Sequence, residues 1–192
     1  MSDPDLHPLI SAASRGELPE WAAVDSDRRT HLESVARLMR EWARTLGLGG
    51  RDQKRWAAAA WLHDALRSAD PRDLAEAAGE YTDGVRHGPA TAARLEAEGV
   101  DDDELLGAIR HHTLGHRRLQ RLGRYLYLAD YLDPSRSIDS PERAELLARL
   151  PDGLGDALRM VCARRIAWQL ERGHAPHQDT VDFCHQLSGP GE

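Results

Sequence analysis

The sequence predicts an all-α protein built as one helical bundle, and three observations carry that prediction. Its composition is rich in alanine, leucine and arginine, with one phenylalanine and few β-branched residues, which favours helix over sheet. Apolar residues recur at helical spacing from about residue 27 onward, and no stretch alternates apolar and polar residues long enough for a strand. Proline and glycine fall at the joints between these periodic segments. At 192 residues a single domain is expected over 27–188, behind an N-terminal extension over 1–26.

Each element has its own punctuation. "THLESVARLMREWARTLGLGG" opens on a capping box, Thr30 to Glu33, carries Val35, Leu38, Trp42 and Leu46 on one stripe, and stops at Gly49 and Gly50. "RDQKRWAAAAWLHDAL" starts near Asp52 and is apolar nearly all round, as a central helix would be. In "DPRDLAEAAG", Asp70 is the expected cap, Pro71 the first helical residue and Gly79 the stop. "HGPATAARLEAEG" repeats that grammar with Pro89 and Gly99.

Farther on, "DDDELLGAIRHHTLG" sets Asp101 three residues ahead of Glu104 and places Leu105, Ile109 and His112 on one face. "HRRLQRLGRYLYLADYLDP" aligns Leu119, Leu122, Leu126 and Asp130 before Pro134 ends the run. Helices are expected at 141–150, capped by Ser140–Pro141, and at 153–172 and 178–187. Trp42, Trp56 and Trp61 have apolar neighbours and read as core.

The formal charge of −7 and pI of about 5.8 oppose binding to nucleic acid or anionic lipid. Cys162 and Cys184 show neither CxxC spacing nor a disulfide pattern and read as structural thiols of a reducing cytosol. "MSDPDLHPLISAASRGELPEW" lacks a basic region followed by an apolar core, so no secretory signal is expected. No apolar run approaches the roughly 20 residues of a bilayer span. A cytoplasmic location follows as the expectation.

One oddity recurs along these helices. His31, the His63–Asp64 pair, His112 and Asp130 each lie on, or at the end of, a face that is otherwise apolar, and His87 leads directly into a helix start. A buried carboxylate or histidine without a partner destabilises a fold, and a metal cation is a common partner. One such residue alone is more often a hydrogen-bonded core group; six in the order H, HD, H, H, D are a set. Mixed imidazole and carboxylate donors suit one or two first-row ions such as iron, manganese, zinc or nickel, and argue against a thiolate site.

That order resembles the HD-domain metal-dependent phosphohydrolases. "HGPATAARL", "AIRHHTLG" and "LYLADYLDPSR" are similar to segments of the YqeK-like branch, the symmetrical diadenosine tetraphosphate hydrolases, with a weaker likeness in "RGHAPHQDTVDF". The resemblance implies a helical domain around two divalent ions, usually iron, that splits a dinucleoside tetraphosphate into two nucleoside diphosphates. His31, His63, Asp64 and Asp130 would hold one ion, and Asp64 would bridge to a second held by His87 and His112. Such a pair of ions can lower the pKa of a bridging water and neutralise charge on phosphoryl oxygens, so no protein nucleophile is needed.

Asp64 and Arg67 are the candidate catalytic residues; Arg67 stands where the family commonly has lysine. Arg67, Thr113, Gly115, Arg136 and His111 are the candidate substrate-binding residues. His111 stands where an aromatic residue is common in the family, so either neighbouring histidine is a candidate ligand, and spacing from Leu105 and Ile109 favours His112. Asp133 would support a ligand from behind. Arg110, Arg117, Arg118, Arg121 and Arg124 form the densest basic patch, either a solvated face or a grip on polyphosphate. The expected partner is a small nucleotide, with no nucleic acid and no membrane; a homodimer is compatible with the sequence. Two other readings use the same residues: an HD hydrolase of another mono- or triphosphate, and a non-catalytic nucleotide-binding regulator. The intact set of six counts against the regulator.

Overall fold

The computed structural model describes residues 6–70, 72–74, 81, 84–136 and 141–189. Among them the regular elements are all α-helical: α1 (Pro8–Ala13), α2 (Ser26–Thr45), α3 (Gly50–Leu62), α4 (His87–Ala97), α5 (Asp103–His111), α6 (Arg121–Leu132), α7 (Pro141–Ala148), α8 (Leu154–Glu171) and α9 (Gln178–Ser188). The helix expected over "DPRDLAEAAG" lies largely outside the described residues, as does Ser140. Asp70 does accept a hydrogen bond from the Arg72 amide at 2.9 Å, as a cap there would.

The all-α expectation holds, and α6 is its hub. This helix packs against α2, α3, α5, α7 and α8, and Leu122, Tyr125, Leu126, Tyr127, Leu128 and Leu132 are buried along it. Asp130 is buried on the same helix. Helix α3 lies among α1, α2, α5 and α6, where its alanines let neighbouring backbones approach while Trp56 and Trp61 fill the remaining volume. Trp42, Trp56 and Tyr125 form one aromatic cluster, with Trp56 5.0 Å and Trp42 5.7 Å from Tyr125 between ring centroids.

The sequence reading passes over α1. Leu6, Ile10 and Ala13 join the common core, and α1 packs on α3.

Three boundaries differ from expectation, each for a local reason. Helix α2 starts at Ser26, because Asp25 caps it by accepting from the Arg28 amide at 2.7 Å; Thr30 donates back to the Ser26 carbonyl instead of capping. Helix α5 is capped by Asp102, one residue beyond Asp101, with its carboxylate on the Leu105 amide. Helix α3 ends at Leu62, so His63 and Asp64 follow the helix and are not inside it.

The cysteine expectation is overturned. Helices α8 and α9 pack together and bring the Cα atoms of Cys162 and Cys184 to 5.8 Å, where they form a disulfide. A sequence separation of 22 gave no local sign of pairing, because it depends on how the two helices meet. No helix among the described residues is long and apolar enough to cross a membrane.

Candidate metal centre

His63 and His112 are placed by the same device. Each follows the last residue of a helix, α3 and α5, where backbone carbonyls lack partners. His63 Nδ1 donates to the Ala60 carbonyl at 2.7 Å, and His112 Nδ1 donates to the Ile109 carbonyl at 2.8 Å. A carbonyl oxygen only accepts, so the proton is on Nδ1 and the Nε2 lone pair faces inward in the neutral ring. His31 reaches the same arrangement from α2, with Nδ1 2.6 Å from Asp133 Oδ2. Asp133 is itself held by the Ser135 amide and hydroxyl, at 2.9 and 2.5 Å.

The inward atoms crowd together. His31 Nε2 lies 3.3 Å from His63 Nε2 and 3.3 Å from Asp130 Oδ1; His87 Nε2 lies 3.0 Å from His112 Nε2. Asp64 stands between the two groups. Its Oδ2 is 3.8 Å from His31 Nε2 and 3.7 Å from His63 Nε2, while its Oδ1 is 2.9 Å from His87 Nε2 and 3.3 Å from His112 Nε2. Two triads, His31–His63–Asp130 and His63–Asp64–His112, each have their ligand atoms within 4.8 Å of one another. The Nε2 lone pairs of His63 and His112 face carboxylate oxygens with no proton between them, an arrangement that a cation relieves, so these residues fit divalent metal.

Electrostatics keep two of the rings neutral. Burial depresses the His63 pKa to about 3, keeping the ring neutral, and also lowers His87. His31 is pulled up: burial opposes its charge, but Asp130 and Asp133 outweigh burial. Burial would raise Asp64 and Asp130, yet both are held well below the usual carboxylate range, Asp64 chiefly by His63 and His112 and Asp130 by His31 and Arg136. His87 Nδ1 is buried without a hydrogen-bond partner, so that ring is fixed less firmly than the others.

Gly88 makes the second group geometrically accessible. A Cβ there would meet the Ile109 carbonyl at 2.9 Å and His112 Cε1 at 3.2 Å. The missing side chain lets the start of α4 approach the end of α5, and His87 thereby reaches His112.

The metal-capable cluster opens into a cavity of about 1140 Å³ whose wall includes Arg28, Arg67, Arg136, Arg143, Arg164 and Arg165. Arg28 reaches Asp64 Oδ2 at 2.6 Å, Arg136 reaches Asp130 Oδ1 at 2.6 Å, and Arg165 reaches Asp130 Oδ2 at 3.4 Å.

Comparison with known proteins identifies the architecture: the profile of the HD domain matches residues 28–135. The chain belongs to the HD domain family. This HD protein is 28% identical over 150 residues to the symmetrical bis(5'-nucleosyl)-tetraphosphatase of Halalkalibacterium halodurans, covering 73% of this chain and 79% of that one. It is 27% identical over 103 residues to the enzyme of that name from Staphylococcus aureus, covering 53% of each. The Bacillus subtilis enzyme of that name is 28% identical over 109 residues, covering 52% of this chain and 59% of that one. The match thus spans a little over half the length of these last two relatives. Among solved structures, an HD superfamily hydrolase from Clostridium acetobutylicum superposes with a TM-score of 0.71 at 22% identity, covering 82% of this chain and 87% of that one, and shares the fold. The HD protein is a phosphohydrolase by family.

The remaining site expectations fare unevenly. Arg67 and Arg136 line the cavity, and Thr113 lines it with its hydroxyl 3.0 Å from His112 Nε2. Gly115 does not: it turns the chain at φ +75°, where a Cβ would strike the Phe183 ring at 2.4 Å. His111 is also off the cavity wall. It stacks on His116 at 4.3 Å, and burial, with His116 and Arg110, lowers its pKa to about 4. None of Arg110, Arg117, Arg118, Arg121 or Arg124 lines this cavity; Arg110 pairs with Glu96.

The sequence reading missed Arg28 and Arg165. Arg28 is one turn before His31 on α2. Arg165 continues the buried stripe of Leu158, Val161 and Cys162 on α8, the same anomaly that flagged Asp130.

Proposed function

We propose that this HD phosphohydrolase splits dinucleoside tetraphosphates symmetrically, taking diadenosine tetraphosphate to two ADP. The reading rests above all on Asp64, which offers one carboxylate oxygen to His31 and His63 and the other to His87 and His112. His31, His63, Asp64 and Asp130 would hold one ion, and Asp64, His87 and His112 a second; iron, manganese, zinc and nickel all match the donors. Bound ions would supply Lewis acidity to the phosphoryl oxygens and lower the pKa of the attacking water.

The protein's own residues do the rest. Arg28 on the Asp64 side and Arg136 and Arg165 on the Asp130 side hold positive charge where a phosphate chain would lie, and guanidinium pairs bind phosphoryl oxygens with fixed geometry. Arg67, Arg143 and Arg164 extend that wall, and Asp133 fixes the tautomer of His31. A cavity of about 1140 Å³ is somewhat larger than ordinary ligand sites, which favours a dinucleotide over a mononucleotide. The relatives' names agree with this substrate.

The test is an anaerobic assay with Fe(II) or Mn(II) and diadenosine tetraphosphate, with products separated by chromatography. ADP alone is expected. ATP plus AMP would refute symmetrical cleavage, and turnover of mononucleotides alone would refute the substrate.

A further inference from the structure

Helix α8 carries one residue that neither the core nor the metal centre explains. Trp168 is 54% exposed and lines the cavity that opens from the metal-capable cluster. Lone apolar side chains on a surface are ordinary, and Met160 and Leu170, also exposed on α8, do not line that wall. Trp168 differs in where it stands. It lies one helical turn beyond Arg165, whose guanidinium touches Asp130, so the indole is displaced about 5 Å along the helix from the cationic wall.

Two neighbours turn this indole into a platform. The Arg172 guanidinium sits over the ring, 4.1 Å from its centroid, a cation–π contact that fixes the indole where it lines the cavity. Gln169 lines the same cavity, and its buried amide oxygen has no hydrogen-bond partner. An exocyclic amine would satisfy it.

We propose that Trp168 stacks a purine base of the nucleotide, with Arg172 backing the indole and Gln169 accepting from the 6-amino group of adenine. The inference rests on the nucleotide reading above and deepens it. Successive parts of an ADP moiety meet matching chemistry along α8: phosphate at Arg164 and Arg165, base at Trp168 and Gln169.

Calorimetric titration of the full chain with ADP and, separately, with inorganic pyrophosphate tests this. Pyrophosphate reads the cationic wall alone; ADP reads the wall and the platform. Trp168→Ala should weaken ADP about tenfold, in the range of base–aromatic stacking, and change pyrophosphate less than twofold. Trp168→Phe should restore most of the loss, which a merely structural role would not predict. Unchanged ADP affinity in Trp168→Ala, or equal weakening of both ligands, overturns the platform. A parent chain that leaves diadenosine tetraphosphate intact while Trp168→Ala still separates ADP from pyrophosphate overturns the proposed substrate and supports the platform.

Discussion

His87 Nε2 lies 2.9 Å from Asp64 Oδ1, although the two residues come from different helix ends and 22 residues of sequence separate them. The contact occupies one oxygen of a carboxylate whose other oxygen faces His31 and His63. Two half-sites therefore share one residue. Asp64→Ala should lower turnover at least about a thousandfold, equivalent to about 4 kcal/mol of barrier. Steady-state assays beside circular dichroism check this, because the helical signal should persist while activity goes.

Asp133 touches no inward atom yet determines how His31 presents Nε2. Asp133→Asn keeps the shape and removes the charge. Metal affinity should fall about 10- to 100-fold, as for other residues that orient a ligand from behind. Competition with a chelator of known affinity measures the change.

Gly88 tests whether the approach of α4 to α5 matters. In Gly88→Ala the new methyl group meets the Ile109 and Arg110 carbonyls at 2.9 and 3.1 Å, and neither is a flexible side-chain end that can swing aside. The expected cost is about 1–3 kcal/mol of stability, with partial loss of the His87–His112 group. Thermal denaturation and metal analysis of one preparation read both effects.

A structural network away from the site supplies a pH prediction. Arg55 clamps Asp102 through two bonds of 2.7 Å and also pairs with Asp52 and Glu104, joining α3 to the start of α5. Burial pushes the Asp102 carboxyl up, but Arg55 and the Leu105 amide more than offset this and hold it below 3.8. A carboxyl depressed in the folded state is protonated first in the unfolded chain, so its contribution is full above pH 3.8 and is lost as pH falls below it. Asp102→Asn should destabilise the protein by about 1–2 kcal/mol near neutrality. The difference should shrink as denaturation is repeated at progressively lower pH through 3.8.

Much of this was legible in the sequence, because helical periodicity and anomalous polar residues are both local signals. His31, His63, Asp64, His87, His112 and Asp130 stood out as polar groups on apolar stripes or at a helix start, and the fold collects all six. What escaped depends on tertiary arrangement. The pairing of Cys162 with Cys184 follows from the packing of α8 on α9, and Gly115 looked like a cavity residue until Phe183 filled the space beside it. Arg165 was legible by the rule that found Asp130, but the surrounding α8 sequence has little amphipathic contrast. His63 and His112 were expected on helices; that they lie just past helix ends, using free carbonyls to fix their tautomers, is a detail no periodicity encodes.

The central claim is that one carboxylate divides the site into two metal positions. Metal content per chain, measured by plasma mass spectrometry after anaerobic loading of the parent, His87→Ala and Asp64→Ala proteins, tests it directly. The account predicts two ions in the parent, one in His87→Ala and none in Asp64→Ala. Equal content in all three proteins would contradict it.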